Sequence, residues 1–498
     1  MNKEMEMKEV ELNELDQEKQ PMTGETPEKN GCVKVKVPED TEVKFTGLSK
    51  DELLRVAGTT GWVRTRLMLL VLFWLGWVGM LAGAVVIIVQ APRCKPIPEM
   101  HWWNEGPLYQ IADVKAFSGD KGFKGVEEKL DNLNQLKVKG LVLGSIHSVQ
   151  ADHQATLDLK TINPEMGNEK DLNSLLERAH KKGISIVLDL TPNYEGAAAW
   201  FNNAAAVGEK LKEACAYWLH KGVDGFLMSD LGQIAVTAAW PSIQGVVQTN
   251  VTEGTKKTAL MGSITSVSVD DASLLLNNSG VDLLLTDLPD LTQSGVDLAQ
   301  DINKLYFSHP QTSLGWSPGG RTPGQLTSKF PAVPIRLYHM LLFTLPGTPV
   351  FNSGDEVALK EGEPLDAIWD LESPTEEKNE TVKSVRAERS EVRSFFKALS
   401  DLKGKERALL HGEFISLHSS ASSFAFLRLW DQSERFITVL NWADTPITIA
   451  LVHSDLPAEA RVRLSMDSEM LAVDSMVPLE KLQLGPKQAV LLSYPYAG

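Results

Sequence analysis

The chain has 498 residues, 43% of them hydrophobic, and a formal net charge of -16. That length leaves room for a large folded domain beside smaller segments. The acidic balance argues against nucleic acid as a partner and against adhesion to anionic lipid headgroups.

Residues 1–66 carry 11 basic and 14 acidic groups, which leaves a net -13 for the remainder. Up to residue 45 the chain is rich in Glu and Lys, with Phe45 as its one aromatic. So little apolar surface cannot offset the entropy of ordering, and the expectation is a mostly disordered tail. A solvated tail and a docking site for cytosolic partners are both open; no motif stands behind the second.

Leu67 to Val89 is an unbroken apolar run without a charge. Twenty-three helical residues rise about 34 Å, enough to cross a hydrocarbon core of roughly 30 Å. The basic groups Lys44, Lys50, Arg55, Arg64 and Arg66 precede it, whereas only Arg93, Lys95 and Lys115 follow over a similar distance. The positive-inside rule then places residues 1–66 in the cytosol and the C-terminus outside. The apolar core of a cleaved signal peptide is shorter and lies close to Met1, so the run is predicted to be an uncleaved signal anchor of a type II membrane protein. Gly79-Met-Leu-Ala-Gly83, extended by Gly76, is a small-xxx-small pattern that lets another helix approach, although glycine is also common in membrane helices without partners. Trp62 and Trp102-Trp103 are expected at the two membrane interfaces.

Residues 90–104 read as an extracellular neck. In Pro92-Arg-Cys-Lys-Pro96-Ile-Pro98 the prolines stop the helix and hold the segment extended. Three cysteines occur. Cys32 falls in the reducing cytosol and is expected as a free thiol. Cys215, flanked by Ala214, Ala216, Tyr217 and Trp218, reads as a buried inert thiol. Cys94 is the odd extracellular cysteine, which calls for an interchain disulfide or a free thiol. Sequons occur at Asn250, Asn277 and Asn379, all on the predicted outer side; if used, they mark solvent-facing loops.

Beyond the neck, strand and helix patterns alternate. Strands are predicted at 107–112, 140–146, 184–190, 225–230, 259–264, 281–287, 312–316 and 349–353, several as continuous apolar runs. Helices are predicted at 169–183, 209–221, 295–307 and 333–345. Eight strands with helical crossovers indicate an α/β fold, a (β/α)8 TIM barrel over residues 105–404. Short alternating strands at 424–429, 436–440, 447–451 and 490–493 indicate a C-terminal antiparallel β-sandwich over 405–498.

Within the barrel, Gly106-Pro-Leu-Tyr-Gln-Ile111 and Gly347-Thr-Pro-Val-Phe-Asn-Ser-Gly-Asp-Glu356 resemble the first- and eighth-strand motifs of α-amylase-type glycoside hydrolases. Asp189-Leu-Thr-Pro-Asn193 and Gly222-Val-Asp-Gly-Phe226 are similar to the third- and fourth-strand regions. The resemblance implies a retaining mechanism with two carboxylates about 5 Å apart at the C-terminal ends of strands. At the nucleophile position this sequence has Ser229, and Asp230, one residue late, is expected to point away from the site. The fifth strand has Ser263 where the acid/base belongs, with no Asp or Glu from Lys256 to Val269. The third carboxylate position reads Gly315-Trp316-Ser-Pro318, with no acid from His309 to Pro331. A serine hydroxyl neither stabilises an oxocarbenium ion as a carboxylate does nor protonates a leaving oxygen at a tuned pKa. No nucleophile-elbow pattern accompanies either serine. The family's inserted calcium-binding domain is missing too, and the ten histidines lack metal-ligand spacing. The barrel is expected to be non-catalytic, without metal or cofactor.

An amylase-like barrel on a type II anchor, with Leu48-Ser-Lys-Asp-Glu-Leu-Leu-Arg55, Trp62-Val-Arg-Thr-Arg66 and Pro92-Arg-Cys-Lys-Pro96, resembles the heavy chains of the heteromeric amino-acid transporters, on the branch without an inserted domain. The resemblance implies that Cys94 bonds a multi-spanning light chain carrying the transport path, and that this glycoprotein subunit supports its delivery to the plasma membrane and its stability. A membrane-anchored α-glucosidase and a glycan-binding or adhesion ectodomain, with adhesion receptors among its partners, are the alternatives.

Overall fold

The computed structural model describes all residues except 1–48, 91–94, 148–150, 195, 197, 202–203, 250–255, 266–267, 288–289, 292, 320–323, 361, 366–368, 370, 372–379 and 497–498. It divides into two compact units, residues 1–93 and 94–498.

In the first unit, helix α1 spans Lys50–Ala57. Its start is a capping box: the Ser49 hydroxyl accepts from the Glu52 amide at 3.4 Å, and the Glu52 carboxylate accepts from the Ser49 amide at 3.2 Å. Such reciprocal capping satisfies two orphan donors. The predicted mostly disordered tail therefore ends in an ordered turn; its Ser-x-x-Glu signal is in the sequence. Helix α2 spans Thr60–Gln90 and is long and apolar enough to cross a membrane. It starts seven residues before the apolar run, because backbone bonding such as Val63 N to Thr59 O at 3.1 Å continues through Arg64 and Arg66. Tail residues 1–48, with Cys32, and neck residues 91–94, with Cys94, lie outside the described residues.

The second unit holds a closed parallel barrel in the order β1 to β8. The strands are β1 Leu108–Ile111, β2 Gly140–Leu143, β3 Ser185–Asp189, β4 Gly225–Ser229, β5 Ala259–Ser263, β6 Leu283–Asp287, β7 Leu314–Ser317 and β8 Thr348–Asn352. Closure pairs Leu108 with Val350. The crossovers carry α3 Phe123–Gln135, α4 Glu169–Lys181, α5 Ala204–His220, α6 Trp240–Gln248, α7 Val269–Ser279, α8 Gly295–Ser308 and α9 Ile335–Thr344. Each predicted strand and helix is present, with ends shifted by a few residues. Between β3 and β4 there is room for α5 and its loops, with no inserted domain.

Strand alternation sorts the apolar side chains into two cores. Val142, Val187, Leu227, Met261, Leu283, Leu285 and Val350 fill the barrel interior. Leu141, Leu143, Ile186, Leu188, Phe226, Met228, Leu284 and Phe351 face the helices. Burial on both faces explains the continuous apolar runs.

After α10, Glu380–Lys405, and α11, Arg407–His411, comes a six-stranded antiparallel sheet in the order β14-β13-β16-β11-β10-β9. Its strands are β9 Glu413–Ser419, β10 Ser423–Leu429, β11 Arg435–Asn441, β13 Glu459–Ser465, β14 Met476–Pro478 and β16 Gln488–Tyr494. A second sheet pairs β12, Ile447–Ile449, with β15, Leu482–Leu484. Leu427, Ile437, Val439, Val490 and Leu492 share a core with this ribbon, while Phe424, Phe426, Phe436, Leu440 and Leu491 join the barrel's outer core. The terminal layers are thus fused to the barrel by period-2 burial.

Candidate functional site

The C-terminal ends of the barrel strands open on a cleft of about 300 Å³, lined among others by Gln110, Ser229, Asp230, Ser263, Thr265 and Ser317. Ser229 and Ser263 are register partners across β4 and β5. Ser229 is held from both sides of its peptide: its amide donates to Thr191 Oγ1 at 3.1 Å, and its carbonyl accepts from Trp200 Nε1 at 2.7 Å. The Thr191 hydroxyl in turn donates to Asp189 Oδ1, on a carboxylate 1% exposed.

Two expectations are corrected. Asp230 does reach the cleft: it adopts φ 49 and ψ 51, so β4 stops at Ser229 and strand alternation no longer governs the next side chain. Among the described lining residues it carries the one carboxylate. From β7 the cleft receives Ser317, whereas Trp316 is 2% exposed, belongs to the outer core and donates from Nε1 to Pro346 O at 2.7 Å. Gln110, Thr265 and Ser317 were absent from the sequence reading of the site; the alternation within each strand would have found Ser317.

The two glycoside-hydrolase-like motifs meet away from the cleft. Tyr109 donates its hydroxyl to Glu356 Oε1 at 2.9 Å, and Glu356 also accepts from the Gly354 amide at 2.9 Å. Burial raises the Glu356 carboxyl above its ordinary value and pushes Asp355 up to about 8. Asp355 accepts from the amides of Asn352 at 2.8 Å and Leu326 at 3.0 Å. Gly347 enters β8 at φ 109, where a Cβ would lie 2.7 Å from Leu314 O. The contacts of Tyr109, Asp355 and Glu356 close the barrel, while Gln110 of the first motif lines the cleft.

At the opposite, N-terminal end of the strands, Trp102, Trp103 and Asn104 of the neck are part of the domain. Trp103 is 1% exposed within the barrel-interior core, and Trp102 donates from Nε1 to Lys257 O at 3.0 Å. Lys256 Nζ lies 4.9 Å from the Trp102 ring centroid and 3.0 Å from Asp224 Oδ1; Lys257 Nζ lies 5.7 Å from the Trp103 ring and 2.8 Å from Asp282 Oδ1. Each lysine joins an aromatic face to a carboxylate. The pair Trp102-Trp103 therefore plugs the barrel instead of forming an interfacial belt. Asn104 fastens the entry by donating to Thr312 O at 2.8 Å.

Lys95, which follows Cys94, is fixed by its amide to Asp431 Oδ2 at 3.3 Å and by its ammonium to Glu413 Oε1 at 2.5 Å. Cys215 is fully buried, and burial drives its thiol well above the ordinary range. Asn277 is exposed in the last turn of α7, so this sequon lies on a helix rather than a loop, because the Ser268 cap and the apolar Leu274–Leu276 run carry the helix through it. Asn250 and Asn379 lie outside the described residues. A Cβ on Gly76, Gly79 or Gly83 would meet nothing within 4 Å.

Residues 33–109 match the family model described as the solute carrier family 3 member 2 N-terminus, and residues 113–207 match that of the alpha amylase catalytic domain. The amino acid transporter heavy chain SLC3A2 of Rattus norvegicus is 44% identical over 534 aligned positions, covering 99% of each chain. The chain belongs to the amino acid transporter heavy chain family. The heavy chain SLC3A1 of Mus musculus is 25% identical over 94% of this chain and 89% of its own length. Among solved structures, a debranching enzyme of Nostoc punctiforme superposes with a TM-score of 0.59 at 17% identity, covering 80% of this heavy chain and all of the enzyme. At that identity the likeness is one of fold: this heavy chain has the barrel and terminal sheet of glycosidases.

Proposed function

We propose that this heavy chain is the non-catalytic subunit of a heteromeric amino-acid transporter. The observation that carries the reading is the 44% identity to a transporter heavy chain along 99% of the sequence. The apolar helix anchors the chain in the plasma membrane, with residues 1–66 cytosolic and the barrel and sheet outside. Cys94 forms the disulfide with a multi-spanning light chain, and the open face of Gly76, Gly79 and Gly83 packs on one of its helices. The subunit supports surface delivery and stability of that partner, and Asn250, Asn277 and Asn379 carry its glycans.

The cleft supports a non-catalytic role. Ser229 and Ser263 offer hydroxyls at the two positions where the retaining mechanism requires carboxylates, and Asp230 alone cannot serve as both nucleophile and acid/base. The experiment is affinity capture of the full chain from surface-labelled cells in mild detergent, with amino-acid uptake measured in parallel. A surface-labelled multi-spanning polypeptide should co-purify, and uptake should fall when the heavy chain is depleted. Unchanged uptake and no such polypeptide would overturn the reading.

A further inference from the structure

One residue past Cys94, the chain is fixed to a surface that no function yet uses. Lys95 is tied to Glu413, at the start of β9, and to Asp431, in the turn after β10. Beside it runs a groove of about 710 Å³ between the C-terminal end of α8 and β9, with Tyr306, Phe307, Pro310 and Ile415 among its walls. Phe307 is 76% exposed there. Among the described residues, strand β9 is the terminal strand of its sheet. Its Phe414 amide points outward and is met by the Tyr306 hydroxyl at 3.2 Å, so the edge is capped at that point by a side chain.

These features favour an extended, largely apolar occupant. A terminal strand offers unpaired backbone groups for strand addition. A lone exposed phenylalanine is ordinary, but here it borders a groove beside the terminal strand β9 on a domain that is otherwise strongly acidic. The Lys95 ammonium answers Glu413, and its amide donates to Asp431, so the start of the edge holds one cation and two carboxylates.

Covalent geometry selects the occupant. Consecutive Cα atoms are about 3.8 Å apart, and disulfide-linked Cα atoms are about 4.4–6.8 Å apart. A cysteine bonded to Cys94 therefore has its Cα within about 11 Å of that of Lys95. The chain on either side of that cysteine passes the Glu413 end of the groove. We propose that the groove between Phe307 and the Glu413–Ser416 edge seats the extracellular loop of the light chain that bears the cysteine bonded to Cys94. This proposal rests on the covalent-subunit reading above.

The test uses the full-length chain in cells, with Phe307→p-benzoylphenylalanine. The position is exposed, and an unchanged melting temperature verifies the fold. After irradiation the sample is reduced, which removes any Cys94 adduct. A reduction-resistant adduct should contain the same polypeptide as the disulfide-linked species, and the same substitution at Val236, which is 82% exposed elsewhere on the barrel, should give about tenfold less. In a Cys94→Ser background, Phe307→Asp should lower co-purification of that polypeptide about tenfold. Lack of a photo-adduct, or adducts only with lipid or with a second copy of this chain, while the Cys94 adduct forms, would overturn the docking proposal alone. Absence of any Cys94 adduct would overturn the covalent-subunit reading and the docking proposal with it.

Discussion

Ser229 and Ser263 stand opposite one another as the last residues of two neighbouring parallel strands, both lining the cleft. Neither hydroxyl ionises in the range where glycosidic acid/base work is done. Full-length protein in detergent should hydrolyse p-nitrophenyl α-glucoside no faster than buffer does, and Asp230→Ala should change nothing. Turnover that Asp230→Ala abolishes would show that the cleft is an active site.

A second prediction concerns two buried cations that join the barrel to the sheet. Arg428 is fully buried and donates to the carbonyls of Thr344, Leu409 and Gly412 at 2.8, 3.2 and 3.0 Å, and to Gln311 Oε1 at 3.1 Å. Lys403 donates to the carbonyls of Leu345, Gly347 and Leu409. The acceptors cluster at the C-terminal ends of α9 and α11, where the helix dipole favours positive charge. Arg428→Met strands several buried acceptors at about 1–3 kcal/mol each. The full chain should lose well over 3 kcal/mol or fail to fold, with Arg428→Lys intermediate. Equal melting temperatures for wild type and Arg428→Met would contradict this.

The third prediction is a pH dependence. His147 is 4% exposed with neither ring nitrogen bonded, and burial lowers its pKa to about 4 from an ordinary 6.5. Its folded pKa is depressed, so the unfolded chain binds the extra proton between those values. Stability is then full above 6.5 and is lost as pH falls toward 4, by about 3 kcal/mol for this group. His147→Leu should shrink the drop in melting temperature between pH 7 and pH 4.5. An undiminished drop would place the acid sensitivity elsewhere.

Barrel and sheet were legible because apolar runs, caps and turn residues report directly on burial and local geometry. The continuous runs at 184–190 and 225–230 gave β3 and β4 almost residue for residue. The cleft was only half legible. Ser229 and Ser263 follow from strand-end position, but Asp230 enters by a left-handed backbone step that alternation does not anticipate. Trp102 and Trp103 were misplaced for a related reason: aromatics after an apolar span look interfacial until the lysines and carboxylates that engage them, far away in sequence, are brought alongside.

Asn277 yields the fourth prediction. Its side chain is exposed on α7. Asn277→Gln should increase mobility on a reducing gel, and removal of N-glycans should erase the difference. Identical mobility before deglycosylation would show that the sequon is unused.

The central claim is that Cys94 makes this chain a covalent subunit. The most direct measurement compares full-length wild type, Cys94→Ser and Cys215→Ser from membranes on non-reducing and reducing gels. Wild type and Cys215→Ser should each show a species larger than the chain that collapses on reduction, and Cys94→Ser should lack it. A Cys94→Ser protein that retains the larger species, or a wild type that never forms it, would contradict the account.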